Sequence, residues 1–236
     1  MDSKFFGCTS SELAKSRYVP IKDKQAIEHI LLGANTSAVL KSDPKLLGFT
    51  ASKHKFVGKM LAGKAGVLEI GCMDGFGSAI VSSFVGHLTA IDFYKSHIDD
   101  AVNNVSPHFQ NIEFRGHDIL DGPVSEGFDG AFSLDVLEHI DPEQEDLYMK
   151  NVVDSLNDSG VFVVGMPSLE SQAYASEVNR FSHINCKTAK AMFDFSSRYF
   201  VNVFAFGMND ETLHTGFGPM CQYIINVCSV PKRGKW

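Results

Sequence analysis

Residues 67–78 read VLEIGCMDGFGS, a short apolar run followed by three glycines and then by residues that can begin a helix. This order is typical of a buried β-strand that runs through a tight loop into a helix. Glycines let the main chain turn sharply and approach a ligand, and the free N–H groups of the helix start face that ligand. Glycine clusters also end strands for packing reasons, so a nucleotide site needs support from other residues.

The rest of the chain supports an α/β fold. From residue 66 onward, short apolar runs alternate with helical segments, the pattern of a parallel sheet wrapped by helices. The pattern predicts strands at 67–71, 87–92, 111–115, 128–134, 160–166, 199–206 and 221–230, and helices at about 76–84, 95–104, 142–157 and 187–198. The third of these helices is expected to begin at Asp141-Pro142. The loop before the last strand leaves no room for a crossover helix, so the last two strands are predicted to be antiparallel.

The first sixty residues differ from this pattern because they contain no clear strand. Apolar residues at helical spacing predict helices over 22–32 and about 52–61, and we interpret residues 1–62 as an N-terminal helical cap. His54, between Lys53 and Lys55, is expected on a solvated helix face. A length of 236 residues fits one domain, with residues 63–236 as its core and an acceptor-pocket insertion at about 167–187.

Composition narrows the class of protein. The formal net charge of -7 opposes docking on phosphate backbones, so nucleic acid is not an expected partner. No apolar run approaches the roughly 18 residues of a membrane span, so we expect no membrane partner and a cytoplasmic location. The five cysteines include no C-x-x-C pair, which argues against a disulfide framework or a zinc knuckle. A homo-oligomer is compatible with these features, which do not determine the oligomeric state.

An acidic residue on the second strand sharpens the nucleotide hypothesis. Asp92 closes that strand 23 positions after Glu69, where a carboxylate can accept hydrogen bonds from both hydroxyls of a ribose. The glycines are spaced Gly71-x-x-x-Gly75-x-Gly77, which is not the G-x-G-x-x-G of dinucleotide-binding proteins. An NAD-binding oxidoreductase, one alternative, therefore lacks its characteristic feature.

Residues 66 to about 166 resemble the class I S-adenosylmethionine-dependent methyltransferases of the small-molecule type, with a methyltransferase type 11/12-like domain. The resemblance implies a Rossmann-like, doubly wound sheet of seven strands, mostly parallel with an antiparallel C-terminal strand. It also implies S-adenosylmethionine as cofactor and S-adenosylhomocysteine as product. In that family the glycine loop contacts the amino-acid moiety, the acidic residue after the second strand the ribose, and residues after the third strand the adenine. The implied cofactor-binding residues are Glu69, Gly71, Cys72, Gly75, Gly77, Asp92, Phe93, Asp118, Ile119 and Asp135. Met73 departs from the pattern, since it stands where the family usually has a glycine.

Candidate catalytic residues follow the fourth and fifth strands. The fourth strand ends in SLDVLEHI (133–140), which is similar to the fourth motif of small-metabolite enzymes of this family. It lacks the N/D-P-P-Y tetrapeptide that grips a planar amine. His139 is a candidate base for a hydroxyl acceptor, with Glu138 to orient it, and His183 in the 167–187 connection is a second candidate. A polar helix start is the alternative interpretation of residues 135–139.

A metal site is a further possibility. If residues 135–139 coil helically, Asp135, Glu138 and His139 share one face, and His183 could complete an oxygen and nitrogen site for a divalent ion. This spacing resembles the E-x-x-E-H pattern of metal-assisted small-RNA and quinone methyltransferases, with Asp135 in place of the first Glu.

The sequence therefore predicts methyl transfer to a hydroxyl of a small polar acceptor, such as a sugar or nucleotide-linked precursor. Methylation of a small amine and a non-catalytic cofactor-binding module remain open alternatives.

Overall fold

One sheet organises the computed structural model, which describes residues 11, 15, 29–124 and 127–234. The strands within these residues are β1 (Gly66–Ile70), β2 (His87–Asp92), β3 (Ile112–Gly116), β4 (Phe128–Leu134), β5 (Leu156–Pro167), β6 (Phe200–Asn209), β7 (Thr212–His214) and β8 (Tyr223–Pro231). The α-helices are α1 (Ala34–Ser42), α2 (Pro44–Met60), α3 (Phe76–Ser82), α4 (Lys95–Asn104), α5 (Glu145–Ser155), α6 (Glu177–Ser182) and α7 (Ala189–Tyr199). The chain divides into units of residues 1–30 and 31–236, and all of these elements belong to the second.

The strand order is β3-β2-β1-β4-β5-β8-β6-β7. The first five strands of this order are parallel neighbours, whereas β8 pairs antiparallel with both β5 and β6. The prediction of a mostly parallel α/β sheet with an antiparallel C-terminal strand is therefore confirmed. The described residues contain eight strands where seven were expected, because β7 adds a three-residue edge strand too short to show a sequence period.

Several predicted elements match the structure to the residue, namely β2, β4 and α4. The expected start of α5 at Asp141-Pro142 is wrong, since this helix begins at Glu145. Asp141 instead closes a turn ahead of the helix: its side chain accepts the N–H of Glu143 and its carbonyl accepts the N–H of Gln144. A side chain that satisfies nearby main-chain N–H groups stabilises a turn as well as a helix start.

The N-terminal helices are only partly predicted. α2 begins at Pro44, after an Asp43 side chain that accepts the N–H of Lys45, and is thus longer than the helix expected at 52–61. Of the helix predicted over 22–32, residues 22–28 lie outside the described part of the chain, and residues 29–32 are not helical. No helix in the described ranges is both long and apolar enough to cross a bilayer.

The layering of the sheet positions the site. The central strands are buried on both faces; four of the five residues of β1 are buried, as expected for a parallel strand covered by helices on each side. The strand order reverses between β1 and β4, so the connections that follow these two strands leave on opposite faces. Ligands of open α/β sheets bind beyond the carboxyl ends of the strands at such a point.

Candidate active site

A cavity of about 1440 Å³ lies at the carboxyl edge of the sheet, next to the ends of β1, β2 and β4. Pockets for a single small ligand usually measure about 300–1,000 Å³, so this cavity has room for two molecules. It is lined by nine of the ten predicted cofactor-binding residues and by all three predicted catalytic residues. Gly75 is the exception among them.

The glycine loop after β1 requires glycine at two positions. Gly71 and Gly75 have φ values of 82° and 83°, in the left-handed region that other residues avoid. A Cβ on Gly71 would lie 2.3 Å from a methyl group of Val136, and one on Gly75 would lie 2.9 Å from the ring of Phe114. Gly71 therefore lets β1 and β4 approach each other, while Gly75 supports the loop from outside the cavity.

Asp92, predicted to bind a ribose, is buried at the end of β2. Its Oδ2 accepts the N–H of Met73 at 3.0 Å, and its Oδ1 accepts the N–H of Tyr94 at 2.9 Å. Nδ1 of His97 lies 3.1 Å from the same Oδ1. Each carboxylate oxygen has about two acceptor positions, so Asp92 both ties the glycine loop to β2 and keeps one position free on Oδ2.

Glu69 and His54 form a buried pair below the glycine loop. Burial raises the pKa of Glu69 to about 8, and its Oε2 has no hydrogen-bond partner among the described residues. The expectation that His54 lies on a solvated face is wrong, because α2 packs against the loop: a Cβ on Gly77 would lie 2.0 Å from Nε2 of His54. Nδ1 of His54 is 2.8 Å from the Thr50 carbonyl, and burial lowers the pKa of His54 to about 4. Both side chains are therefore neutral at pH 7.

Asp74 is a structural residue of the loop that the sequence did not single out. Its buried carboxylate accepts the N–H of Thr36 at 2.7 Å and the hydroxyl of Thr36 at 2.6 Å. These bonds join the glycine loop to the first turn of α1, where a carboxylate is favoured by the helix dipole. The two residues are 38 positions apart, so no local pattern could reveal the contact.

The predicted adenine residues, Asp118 and Ile119, follow β3, and Phe93, predicted only to bind the cofactor, follows β2. Oδ1 of Asp118 accepts the N–H of Leu120 at 2.9 Å, which closes a turn, and Ile119 is buried in the core beside it. Phe93 is 61% exposed, and its ring lies 4.0 Å from that of Tyr94, centroid to centroid. These groups leave an apolar surface at the side of the cavity next to Asp92.

The predicted catalytic residues meet on the other side of the cavity. Glu138 and His139 end the short 3-10 turn Leu137–His139 after β4, and His183 follows α6. The two imidazole rings lie 5.0 Å apart, and one oxygen or nitrogen atom from each of the three residues lies within 4.8 Å of the others. We name these three residues the acceptor cluster.

Hydrogen bonds at Nδ1 orient both imidazole rings of the acceptor cluster. Nδ1 of His139 is 3.0 Å from the carbonyl of Ser182, and Nδ1 of His183 is 3.0 Å from Oε1 of Gln172. Because these oxygens only accept, each Nδ1 carries a proton, so in the neutral form of each ring the lone pair is on Nε2. The pKa of His183 is lowered, first by burial and then by His139. The Ser182 carbonyl therefore orients His139, a role that the sequence had given to Glu138.

Glu138 is the unusual member of the acceptor cluster. It is fully buried, and neither carboxylate oxygen has a hydrogen-bond partner in the described ranges of the chain. Burial, and then the charge of Asp135, raise its pKa well above the ordinary value. A buried carboxylate left in this way costs stability, so it indicates a ligand or a proton that the fold itself does not supply.

Asp135 does not join the acceptor cluster. The expected helical coil over 135–139 is wrong: Asp135 has a φ of 58°, and only residues 137–139 form a single 3-10 turn. Its carboxylate is paired with the ammonium of Lys53, which is buried rather than solvated. Sequence spacing missed this contact because the two residues are 82 positions apart.

Comparison with known proteins agrees with this geometry. Residues 67–160 match a family model described as a methyltransferase domain. Residues 67–160 are therefore similar to a methyltransferase domain, in agreement with the resemblance of residues 66 to about 166 to the class I S-adenosylmethionine-dependent methyltransferases. No curated protein matches the sequence.

Solved structures resemble this chain over most of their length. The N-methyltransferase NodS from Bradyrhizobium japonicum WM9, in complex with S-adenosylhomocysteine, is 20% identical, with a TM-score of 0.61 over 82% of this chain and 91% of that chain. A complex of DhpI with S-adenosylhomocysteine is 14% identical, with a TM-score of 0.60 over 84% and 90%. The methyltransferase domain of bacterial CtHen1-C is 16% identical, with a TM-score of 0.59 over 78% and 100%. At such identities the likeness supports the fold alone.

Proposed function

We propose that this methyltransferase transfers the methyl group of S-adenosylmethionine to a hydroxyl of a small polar molecule that is activated at the acceptor cluster. The observation that carries the proposal is the pair of imidazoles of His139 and His183, which lie beside the buried carboxylate of Glu138 and whose Nδ1 atoms each face an acceptor oxygen. These groups line the same cavity as the glycine loop. A sugar or nucleotide-linked precursor suits such a polar site.

The cofactor-binding roles rest on position in the cavity. Main-chain groups of Gly71 and Cys72 would contact the amino-acid moiety of the cofactor, with Glu69 and Gly77 beside them. The free position on Oδ2 of Asp92 would accept one ribose hydroxyl, so this contact is expected to be single rather than paired. Phe93, Asp118 and Ile119 would surround the adenine.

Methyl transfer from S-adenosylmethionine requires few chemical steps from the protein. The sulfonium is already an activated methyl donor, so the site must align the acceptor with the S–CH₃ bond and remove the hydroxyl proton. A neutral imidazole Nε2, on His139 or His183, can accept that proton. An amine acceptor would need no such base, and the imidazoles would then only position it.

The orphaned carboxylate of Glu138 also fits a divalent cation. Atoms bound to one tetrahedral ion at about 2.0–2.2 Å lie about 3.4 Å apart, so the acceptor cluster, whose atoms lie within 4.8 Å of one another, would contract by about 1.4 Å on binding it. Glu138, His139 and His183 would hold the ion, which would lower the pKa of the acceptor hydroxyl. Imidazole and carboxylate ligands suit Mn²⁺ or Zn²⁺. The Nδ1–H bonds to Ser182 and Gln172 are the outer contacts expected of metal-binding histidines.

A product assay tests the proposal. The full chain is incubated with S-adenosylmethionine, Mn²⁺ and a mixed pool of hydroxyl and amine acceptors, and products are analysed by mass spectrometry. We expect a methyl ether; a methylamine as sole product would instead establish N-methylation. His139→Ala and His183→Ala are each expected to reduce turnover by about 10²- to 10⁴-fold.

Matched measurements separate these outcomes from loss of fold. His87→Ala, at an exposed histidine that begins β2, is expected to retain wild-type turnover. All three variants should bind S-adenosylhomocysteine like wild type. Loss of activity in EDTA and its return with Mn²⁺ would support the cation, whereas full activity in EDTA would assign proton removal to the imidazoles. Unchanged turnover in both cluster variants would contradict the assigned roles.

A further inference from the structure

Lys53 is a buried charge that the chemistry above does not use. It lies on α2 and is only 3% exposed. Its ammonium pairs with the carboxylate of Asp135, and it sits 4.8 Å from the ring centroid of Phe49 and 4.4 Å from that of Tyr223. Lysine is almost never fully buried unless it is paired, and aromatic faces add to the attraction. The buried ammonium of Lys53 therefore holds the carboxylate of Asp135 in place.

The carboxylate that Lys53 holds stands next to the acceptor cluster. Asp135 is the first residue after β4, and its N–H donates to the carbonyl of Gly165 at 3.0 Å. Its charge raises the pKa of Glu138 and opposes the lowering of the pKa of His183. The charge of Asp135 thus acts on the cluster, yet its Oδ2 pairs with Lys53.

We infer that Lys53 is a positioning residue: by pairing with Asp135 it keeps a fourth oxygen ligand away from Glu138, His139 and His183, and so leaves a coordination position open for the acceptor hydroxyl. The inference rests on the proposed function, because it assumes a divalent cation at the acceptor cluster. Metal sites that act on substrates keep an open position beside about three protein ligands, whereas closed sites with four protein ligands are structural.

The charges of Lys53 and Asp135 should each change the affinity of the acceptor cluster for a cation, which can be measured. Removing a positive charge near a cation site strengthens cation binding, and removing a negative charge weakens it. Removing both members of the Lys53–Asp135 pair should therefore leave the affinity near its starting value. The other titratable groups near the pair and the cluster are the same in all variants: His54 on α2, Tyr148 on α5, Cys186 after α6 and Tyr223 on β8.

A double-mutant cycle on cation affinity tests the inference without any acceptor. Metal-depleted full-length protein is titrated with MnCl₂ by calorimetry. Lys53→Met is expected to bind Mn²⁺ at least about tenfold more tightly, because Asp135 is freed to join the site and a repulsive charge is lost. Asp135→Asn is expected to bind up to about fivefold more weakly, and the double variant within about threefold of wild type.

Turnover supplies a second readout. Lys53→Met should reduce kcat for the hydroxyl acceptor at least about tenfold, since the open position is filled, while KM for S-adenosylmethionine stays within about twofold. The double variant should recover most of the loss. Melting temperature and S-adenosylhomocysteine affinity establish that each variant is folded, and the double variant, which leaves neither charge buried alone, serves if a single variant does not fold.

Two results would overturn the inference. One is weaker Mn²⁺ binding in Lys53→Met and weaker still in the double variant, which is the pattern of a purely structural role. The other is wild-type protein that binds no Mn²⁺. Neither result decides O-methylation, which the product assay tests separately. If the mutant cycle gives the expected affinities but the protein forms no methyl ether, only the proposed function is contradicted.

Discussion

The two halves of the cavity treat their buried carboxylates differently. In the cofactor half, below β1 and β2, Asp92 accepts main-chain N–H groups of Met73 and Tyr94, and Asp74 accepts two bonds from Thr36. In the acceptor half, after β4, neither oxygen of Glu138 has a partner within the described residues. The fold thus satisfies the hydrogen bonds of Asp92 and Asp74 in the cofactor half, but not those of Glu138 in the acceptor half, as far as the described residues show.

The difference indicates that the cofactor half is formed before a ligand binds, whereas the acceptor half is completed by its ligand. Hydrogen-bonded carboxylates hold the glycine loop in place, so cofactor binding needs little rearrangement. An unpaired buried carboxylate costs free energy in the absence of a ligand and is worth retaining only where binding or chemistry uses it. With the proposed roles, the hydrogen-bonded cofactor half would account for the stability of the site, and the acceptor half for its reactivity.

The largest expected effect comes from breaking the satisfied half at Asp92. Asp92→Ala removes the ribose contact and also the acceptor that holds the N–H of Met73, so S-adenosylhomocysteine affinity is expected to fall by more than about 100-fold in calorimetry. The control is Asp99→Ala, which removes only an exposed pair with Lys95. Affinity within about threefold of wild type in Asp92→Ala would place the ribose elsewhere.

The cofactor half was also the more predictable from sequence. The boundaries of β2, the left-handed turn at Gly71 and the position of Asp92 follow from local periodicity and from the spacing between consecutive strands. These features are fixed by residues close in the chain, which is the information that a single sequence contains.

The acceptor half depends on contacts that sequence spacing does not encode. His139 and His183 could be proposed from their residue type and from the strands they follow, but nothing in KHK at 53–55 indicates that Lys53 and His54 are buried. That burial comes from packing of α2 over the glycine loop and the end of β4. The left-handed conformation of Asp135 is equally invisible, because nothing in a single sequence marks which Asp residues adopt it.

Glu69 is an exception in the cofactor half, since its Oε2 has no hydrogen-bond partner among the described residues. Its pKa is raised from 4.5 to about 8, so between these values the folded protein keeps a proton that the unfolded chain has lost, and stability falls as pH rises. His54, with its pKa lowered to about 4, has the opposite effect below pH 6.5, where the unfolded chain binds more protons. Above pH 6.5 the effect of His54 ends and that of Glu69 continues.

Replacing Glu69 with Gln should remove that slope. Between pH 6.5 and 8, the free energy of unfolding of cofactor-free wild type is expected to fall by about 1–2 kcal/mol relative to Glu69→Gln, a difference of a few degrees in melting temperature. Thermal unfolding at both pH values measures it, with Glu211→Gln at an exposed turn as control. Parallel pH dependences in wild type and Glu69→Gln would mean that Glu69 is ionised when folded, and that the cofactor half is satisfied without exception.

The smallest expected effect concerns Met73, the one loop residue that departs from glycine. It has a φ of 48° and is 47% exposed, so its side chain reaches solvent while its main chain holds a conformation that costs a non-glycine residue about 1–2 kcal/mol. Met73→Gly relieves this strain but gives the unfolded chain more freedom, so the expected gain in stability is below about 1 kcal/mol.

Comparison with Met73→Ala shows whether backbone strain or the side chain of Met73 causes the change in stability. Alanine keeps the Cβ and the strain, so only Met73→Gly is expected to raise the melting temperature, by up to about 4 °C. Both variants keep the N–H that donates to Asp92, and S-adenosylhomocysteine affinity should therefore remain within about threefold of wild type in calorimetry. If both variants instead tightened cofactor binding equally, the thioether side chain would be narrowing the pocket, and the cofactor half would be less completely shaped before binding than its hydrogen bonds indicate.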